Sequence, residues 1–468
     1  MPGELSRRRF LGRSLAGIAA SLIAACSRRP PRAALPPRLL PTEPVPDAAR
    51  ASAVRTGWPI KRVLYVMQEN RSFDHVLGAF PGVNGATTGR LLGREVPLVR
   101  CPQWLPGDLP HNLQAAFDSI NGGRMDNFIL PGFEDEELAA VAEAYAYSQL
   151  HRDDVPNYHH WAARYVVCDN FFASVPGPSY PNHLYFVAGD SNGIYDNPEN
   201  AGFVPMPGGG RWKSWGCDAK EDAFVRIVLA DGRLAETRPC LDIPTVGDQL
   251  EDAGVTWAYY SAQPGQSGYI WNAYAAFPSV RTTDVWTRRI RPTDQLIEHI
   301  ERGALPAVTW VTPVYPLSDH PAWSSSHAHN WLTDVVNAVM QSPMWEHTAI
   351  FITWDEWGGF YDHVPPPERA GIPLGIRVPM LVISPFAREG YVDGAVGEFS
   401  SPLKFIQANW GLEHHTPRIR STHDFSHVFD FDRPPRPPDP QPPKHDAIGD
   451  PFVHPGTDPS WPERFRTA

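Results

Sequence analysis

Two short stretches concentrate oxygen and imidazole groups: Glu69-Asn70-Arg71-Ser72-Phe73-Asp74-His75, and Asp355-Glu356-Trp357-Gly358-Gly359-Phe360-Tyr361-Asp362-His363. Each directly follows an apolar run, 62–67 in the first case and 349–354 in the second. Ligands of an open α/β sheet bind beyond the carboxyl ends of its strands, so Glu69, Asn70, Asp355 and Glu356 stand where a ligand is expected. A hard divalent cation must exchange its water shell for several oxygens, and carboxylates and an amide from two strand ends can supply them. The competing reading is that these acids cap helix N-termini, the ordinary role of an isolated pair. Two clusters at two strand ends favour the cation.

The elements that would position these groups are legible in the apolar pattern. Runs at 62–67, 255–260, 307–311, 349–354 and 378–383 read as buried strands. Between them lie helical patterns, the clearest at 330–340, where Leu332, Val335, Val336 and Val339 recur at one-face spacing before Pro343. Fully apolar strands alternating with helices predict an α/β fold: a mainly parallel central sheet with helices on both faces.

The two stretches, extended by Thr353-Trp354 and by Val364-Pro365-Pro366-Pro367, resemble the signatures of the bacterial phospholipase C and acid phosphatase family of phosphoesterases, within the alkaline phosphatase-like superfamily. A third stretch, Val175-Pro176-Gly177-Pro178-Ser179-Tyr180-Pro181-Asn182, resembles that family's nucleophile segment. The resemblance covers about residues 60–432 and implies an alkaline phosphatase-like fold. It implies that Glu69, Asn70, Asp355 and Glu356 hold a divalent metal ion of unspecified identity, and that Ser179 is both a metal ligand and the nucleophile. A bound cation would acidify that hydroxyl; from spacing alone, Ser179 reads as an ordinary turn residue. By the same resemblance His111 and His320 bind phosphate or protonate the leaving alcohol. Asp319 would orient His320, bind the metal or cap a helix. His363 lies in the signature with its role open, and His327 and His329 read as solvent-facing caps. Two departures stand out. His183 replaces an Arg that usually follows Pro-Asn, which would leave phosphate clamping to Arg71 or weaken it, and Glu398-Phe399 replaces a Glu-His pair. A helix starting after Pro181 would aim its amides at the same place.

The implied activity is hydrolysis of a phosphoester, a phospholipid among the candidates, by the phospholipase C route through a phosphoryl-serine. A phosphomonoesterase of the same family is the alternative, and a non-catalytic solute-binding lipoprotein is the alternative of another class. Trp323, Trp331, Trp354 and Trp357 either line a choline-sized pocket or belong to the core. A sulfatase is disfavoured by the lack of a Cys/Ser-x-Pro-x-Arg segment.

The rest of the chain bounds these readings. It has 468 residues, 42% of them hydrophobic, and a net charge of −11, which excludes disorder as a whole and argues against nucleic-acid binding. Arg7-Arg8 before the apolar run 15–25, which ends in Cys26, reads as a twin-arginine lipoprotein-type signal over 1–26. That predicts export and a lipid anchor on Cys26, at the outer face of the cell membrane or in the periplasm, with secretion as the alternative. Residues 27–55 read as a Pro-rich tether, 56–432 as the catalytic domain and 433–468 as a Pro-rich tail that either wraps the domain or stays disordered. Of the remaining cysteines, Cys217 and Cys240 are the candidate disulfide, with buried free thiols as the alternative.

Overall fold

The structure, a computed structural model, describes residues 40–444 apart from 49, 51–53, 106, 129–144, 207–210 and 322. The signal, Cys26, residues 27–39 and the tail beyond 444 lie outside the described residues.

Eight strands form the central sheet: β1 (Arg62–Gln68), β2 (Val166–Cys168), β3 (Trp257–Ser261), β4 (Ile290–Pro292), β5 (Val308–Val311), β6 (Thr348–Trp354), β7 (Met380–Ile383) and β8 (Tyr391–Asp393). Their order is β4-β3-β5-β1-β6-β7-β2-β8. Only β7 is reversed, antiparallel to both β6 and β2, so the α/β, mainly parallel fold holds. All five sequence-predicted runs are strands. Nearly every strand residue is buried, which is why strands at the sheet centre read as unbroken apolar runs. The short β2, β4 and β8 left no comparable signal, because three residues carry no periodicity.

Helices cover both faces, and the short α1 (Phe73–Leu77) follows β1 in the chain. On one side Tyr65 of β1 packs on Phe186 of α3 (Ser179–Ala188), and Phe351 of β6 packs on Phe405 of α5 (Ser400–Trp410). On the other, Trp354 meets Tyr158 of α2 (Pro156–Arg164), which itself packs on His329 of α4 (Ser325–Gln341). Phe351 and Trp354 are an odd number of residues apart on one strand, so they must point to opposite faces. The predicted helix at 330–340 begins one and a half turns earlier, at Ser325, and this overturns the cap reading of the two histidines. His327 and His329 lie inside α4, and the buried His329 accepts a hydrogen bond from the Asn157 amide (3.2 Å).

Both Pro-rich ends contribute to the fold where they are described. Leu40 and Val45 are buried, the His299 ring meets the Thr42 carbonyl (2.8 Å) and Arg291 donates to that of Glu43 (2.5 Å). The second half of the expected tether is therefore attached to the domain near the β4 edge. The tail from 433 to 444 wraps rather than hangs free. Asn337 exchanges two hydrogen bonds with Gln441, and Asn330 two with Lys444. Seven helical residues rise about 10 Å and three residues of polyproline-like chain span about 9 Å, so two asparagines two turns apart can clamp an extended strap that has no ladder of its own. Cys217 and Cys240 form the disulfide, while Cys101 and Cys168 are buried free thiols.

Candidate functional site

β1 and β6 are parallel neighbours in register, Gln68 opposite Trp354, so the residues that follow them emerge side by side at one end of the sheet. The junction is tied by Asp355 N donating to Gln68 O (3.0 Å) and Asn70 N donating to Asp355 Oδ1 (2.7 Å). Asn70 sits at φ 60°, a left-handed conformation that asparagine tolerates better than most residues. Gly358 is required beside it: a Cβ there would lie 2.2 Å from the Asn70 carbonyl oxygen.

Glu69, Asn70, Asp355 and Glu356 are fully buried together. Glu69 Oε2, Asn70 Oδ1, Asp355 Oδ2 and Glu356 Oε1 have no hydrogen-bond partner among the described residues. Burial, then the Asp355 charge, push the Glu69 carboxyl well above its usual range. Burial also raises Glu356, against the pull of His111 and with the push of Asp355. Three buried carboxyls with open oxygens and, among the described residues, no arginine or lysine bonded to them are an arrangement that costs free energy unless a cation is supplied. This donor set fits a divalent metal ion, and its oxygens are of the kind such an ion takes.

Ser179 is the first residue of α3, so that helix starts three residues earlier than expected, with Pro181 tolerated in its first turn. The hydroxyl lies near enough to the Glu69 carboxylate to favour its charged form, against the larger effects of burial and Asp355. Asn182 pins the loop ahead of it: its amide donates to Gly177 O (3.0 Å) and Pro178 O (3.2 Å), and its oxygen accepts from Val175 N (3.2 Å).

The two expected histidines close the other side. The Asn70 amide lies 3.2 Å from His111 Nε2 and 3.1 Å from His320 Nε2. Burial opposes charge on His111, but Glu356 and Asp108 outweigh it and hold the ring up at about 9; His320 is pushed down to about 4 by burial. Asp319 does not orient His320. Its carboxylate pairs with Arg71 (3.3 Å) and accepts from Trp354 Nε1 (3.0 Å), while His320 Nδ1 meets the Tyr315 hydroxyl (2.8 Å). Arg71 is thereby engaged, buried and stacked on Phe360, rather than free to clamp an anion.

Two features were not foreseen. His183 Nε2 lies 2.9 Å from Glu69 Oε1, inside the acidic cluster. Trp271 stacks on Tyr315 and His320, with ring centroids 4.9 and 5.6 Å apart. Trp354 and Trp357 are wholly buried, as the core reading of these residues expected. His363 belongs to a separate knot, bonded to Asp74 (2.6 Å).

The chain is 28% identical over 452 residues to the hemolytic phospholipase C of Pseudomonas aeruginosa, covering 81% of this chain and 57% of that protein. It is 28% identical over 468 residues to the non-hemolytic phospholipase C of Burkholderia pseudomallei, covering 85% and 62%. It thus spans less than two thirds of either relative. A solved structure from Vibrio parahaemolyticus described as a protein in the alkaline phosphatase superfamily aligns with 12% identity and a TM-score of 0.37, covering 91% of this chain and 79% of that one. Residues 60–413 match the model of the Phosphoesterase family, and the chain belongs to that family.

Proposed function

We propose that this protein hydrolyses a phosphodiester of the phospholipase C type through a phosphoryl-serine on Ser179, with a divalent cation held by Glu69, Asn70, Asp355 and Glu356. The observation that carries this reading is the set of four buried, unpartnered ligand oxygens beside a hydroxyl held at the first position of a buried helix. When bound, the cation would acidify the serine and neutralise charge on the phosphoryl oxygens. Ser179 passes its proton to the neighbouring Glu69 carboxylate, and its oxygen bonds to phosphorus. The bond to the leaving alcohol breaks and that alcohol takes a proton from the paired histidines His111 and His320. Water then cleaves the phosphoryl-serine: its hydroxyl bonds to phosphorus as the bond to the serine oxygen breaks, its proton restores the histidine pair, and Glu69 returns its proton to Ser179. The named activities of the relatives support a lipid phosphodiester as the substrate.

Phosphorus-32 trapping in acid, followed by peptide mapping, tests the nucleophile: label on the 179-containing peptide supports it, label elsewhere overturns it. Hydrolysis of p-nitrophenyl phosphorylcholine and phospholipid vesicles should exceed that of p-nitrophenyl phosphate; the reverse ratio makes the enzyme a phosphomonoesterase. No hydrolysis of any phosphoester by metal-loaded protein would favour the solute-binding alternative. Chelation should abolish activity, and full activity without stoichiometric metal overturns the cation. Export by the Arg7-Arg8 signal and anchoring through Cys26 complete the proposal; Cys26→Ser should move the protein to the soluble fraction.

A further inference from the structure

The acidic cluster contains a nitrogen that the oxygen-ligand reading leaves out. His183 follows Ser179 by four residues in α3, so both project from one face of the helix. Its ring is almost wholly buried, and its Nε2 lies 2.9 Å from Glu69 Oε1 and 3.9 Å from Asp355 Oδ2. Nδ1 has no hydrogen-bond partner among the described residues, so the polar atoms that the ring meets there are the two carboxylates. Two ligand atoms each about 2.1 Å from one cation lie about 3 Å apart at right angles and about 4 Å apart when opposed. Both observed separations fall within that window. Glu69, His183 and Asp355 therefore offer one nitrogen and two oxygens at distances that a single ion can span.

We propose that His183 Nε2 is a ligand of the cation held by Glu69 and Asp355, making the site a mixed nitrogen-oxygen one that prefers zinc-like first-row ions to magnesium or calcium. The inference rests on the cation reading above. Imidazole binds zinc, iron and cobalt well and contributes little to magnesium or calcium sites, which take oxygen. An all-oxygen site would favour the hard ions; one buried imidazole tips the selectivity the other way. The alternative is a positioning role in which Nε2–H merely donates to Glu69. That role a glutamine amide could reproduce, whereas the nitrogen lone pair it could not.

The experiment uses the full chain stripped with chelator and reloaded separately with Zn²⁺, Co²⁺ and Mg²⁺, comparing wild type with His183→Leu and His183→Gln. Affinity is read by competition with a chromophoric chelator and cobalt coordination by its visible spectrum, both independent of turnover. We expect zinc and cobalt affinity to fall at least about tenfold to a hundredfold in both variants, with a shifted cobalt spectrum. Magnesium affinity should change less than about threefold. Wild-type zinc affinity and cobalt spectrum in either variant overturn the ligand role, and restoration by Gln alone assigns His183 to positioning. If Leu fails to fold by circular dichroism, the Gln variant carries the test. Wild-type protein that binds no divalent ion overturns the cation reading itself; variants that bind zinc as wild type does overturn this inference alone.

Discussion

The cluster around Ser179 and the knot around Arg377 are built from the same materials. Each takes carboxylates from both signature stretches and adds a histidine: Glu69, Asp355, Glu356 and His183 in one, Asp74, Asp362 and His363 in the other. They differ in what neutralises them. In the knot, Arg377 Nε donates to Asp362 Oδ1 (2.8 Å) and Nη2 to Asp74 Oδ1 (3.2 Å), with the guanidinium stacked on Phe73. Backbone amides of Asp74 and His363 satisfy the remaining oxygens, and those of Ala86 and Val364 add to the two that Arg377 already holds. Among the described residues the cluster has no such cation and keeps four oxygens open. A buried acidic group that carries its own counter-charge is a brace, and one that lacks it is a binding site. The brace also ties together the two loops that present the site, since Asp74 and Asp362 lie just downstream of the ligands in each stretch.

The largest effect should come from the cluster. Ser179→Ala removes the proposed nucleophile and should lower turnover by about a thousandfold or more with an unchanged melting temperature. Near wild-type turnover would remove Ser179 from the chemistry and the cluster from its catalytic half of the contrast.

Arg377→Met should do the opposite. It strands two buried aspartates, costing about 3–5 kcal/mol of stability by denaturant unfolding. If stability is kept, the knot is no brace.

A smaller, signed difference separates the two regions in metal-free protein. Glu356→Gln removes one of several crowded buried charges and should raise the melting temperature, whereas Asp362→Asn weakens a satisfied ion pair and should cost about 1–3 kcal/mol. Equal signs in both variants would erase the distinction.

The smallest effect is in pH dependence, again without metal. His111 is held up at about 9, above the usual value for histidine, so its contribution is complete below about pH 6.5 and is lost as pH rises through 9. His320 is held down at about 4, so its contribution is present above about pH 6.5 and is lost as pH falls towards 4. His111→Asn should flatten the alkaline limb of stability and His320→Asn the acid limb. A bound cation neutralises Glu356 and so should shrink the alkaline limb; a limb unchanged by metal would detach His111 from the cluster.

Much of this was legible in the chain. Five strands, the α4 helix, the α/β class and the position of the two acidic stretches follow from apolar runs and from acids placed just past them, because a strand buried on both faces must be apolar throughout and must end where polar residues begin. The expected strap and tether were harder, since Pro-rich segments carry no periodicity; only the clamping by Asn330 and Asn337 and the burial of Leu40 and Val45 show them attached. Asp319 was assigned from its neighbour His320, but its left-handed backbone (φ 71°) turns it to Arg71 instead.

The sequence by itself determined which residue types were available at the ends of β1 and β6, since these are local facts of order and polarity. It could not say which acids lacked a counter-charge. Asp74 and Asp362 look as ligand-like as Glu69 and Asp355 until Arg377 arrives from just ahead of β7, and His183 looks like a missing arginine until α3 lays it against Glu69. Charge compensation is a property of distance in space, and distance across the fold is set only when the strands pair and the helices pack.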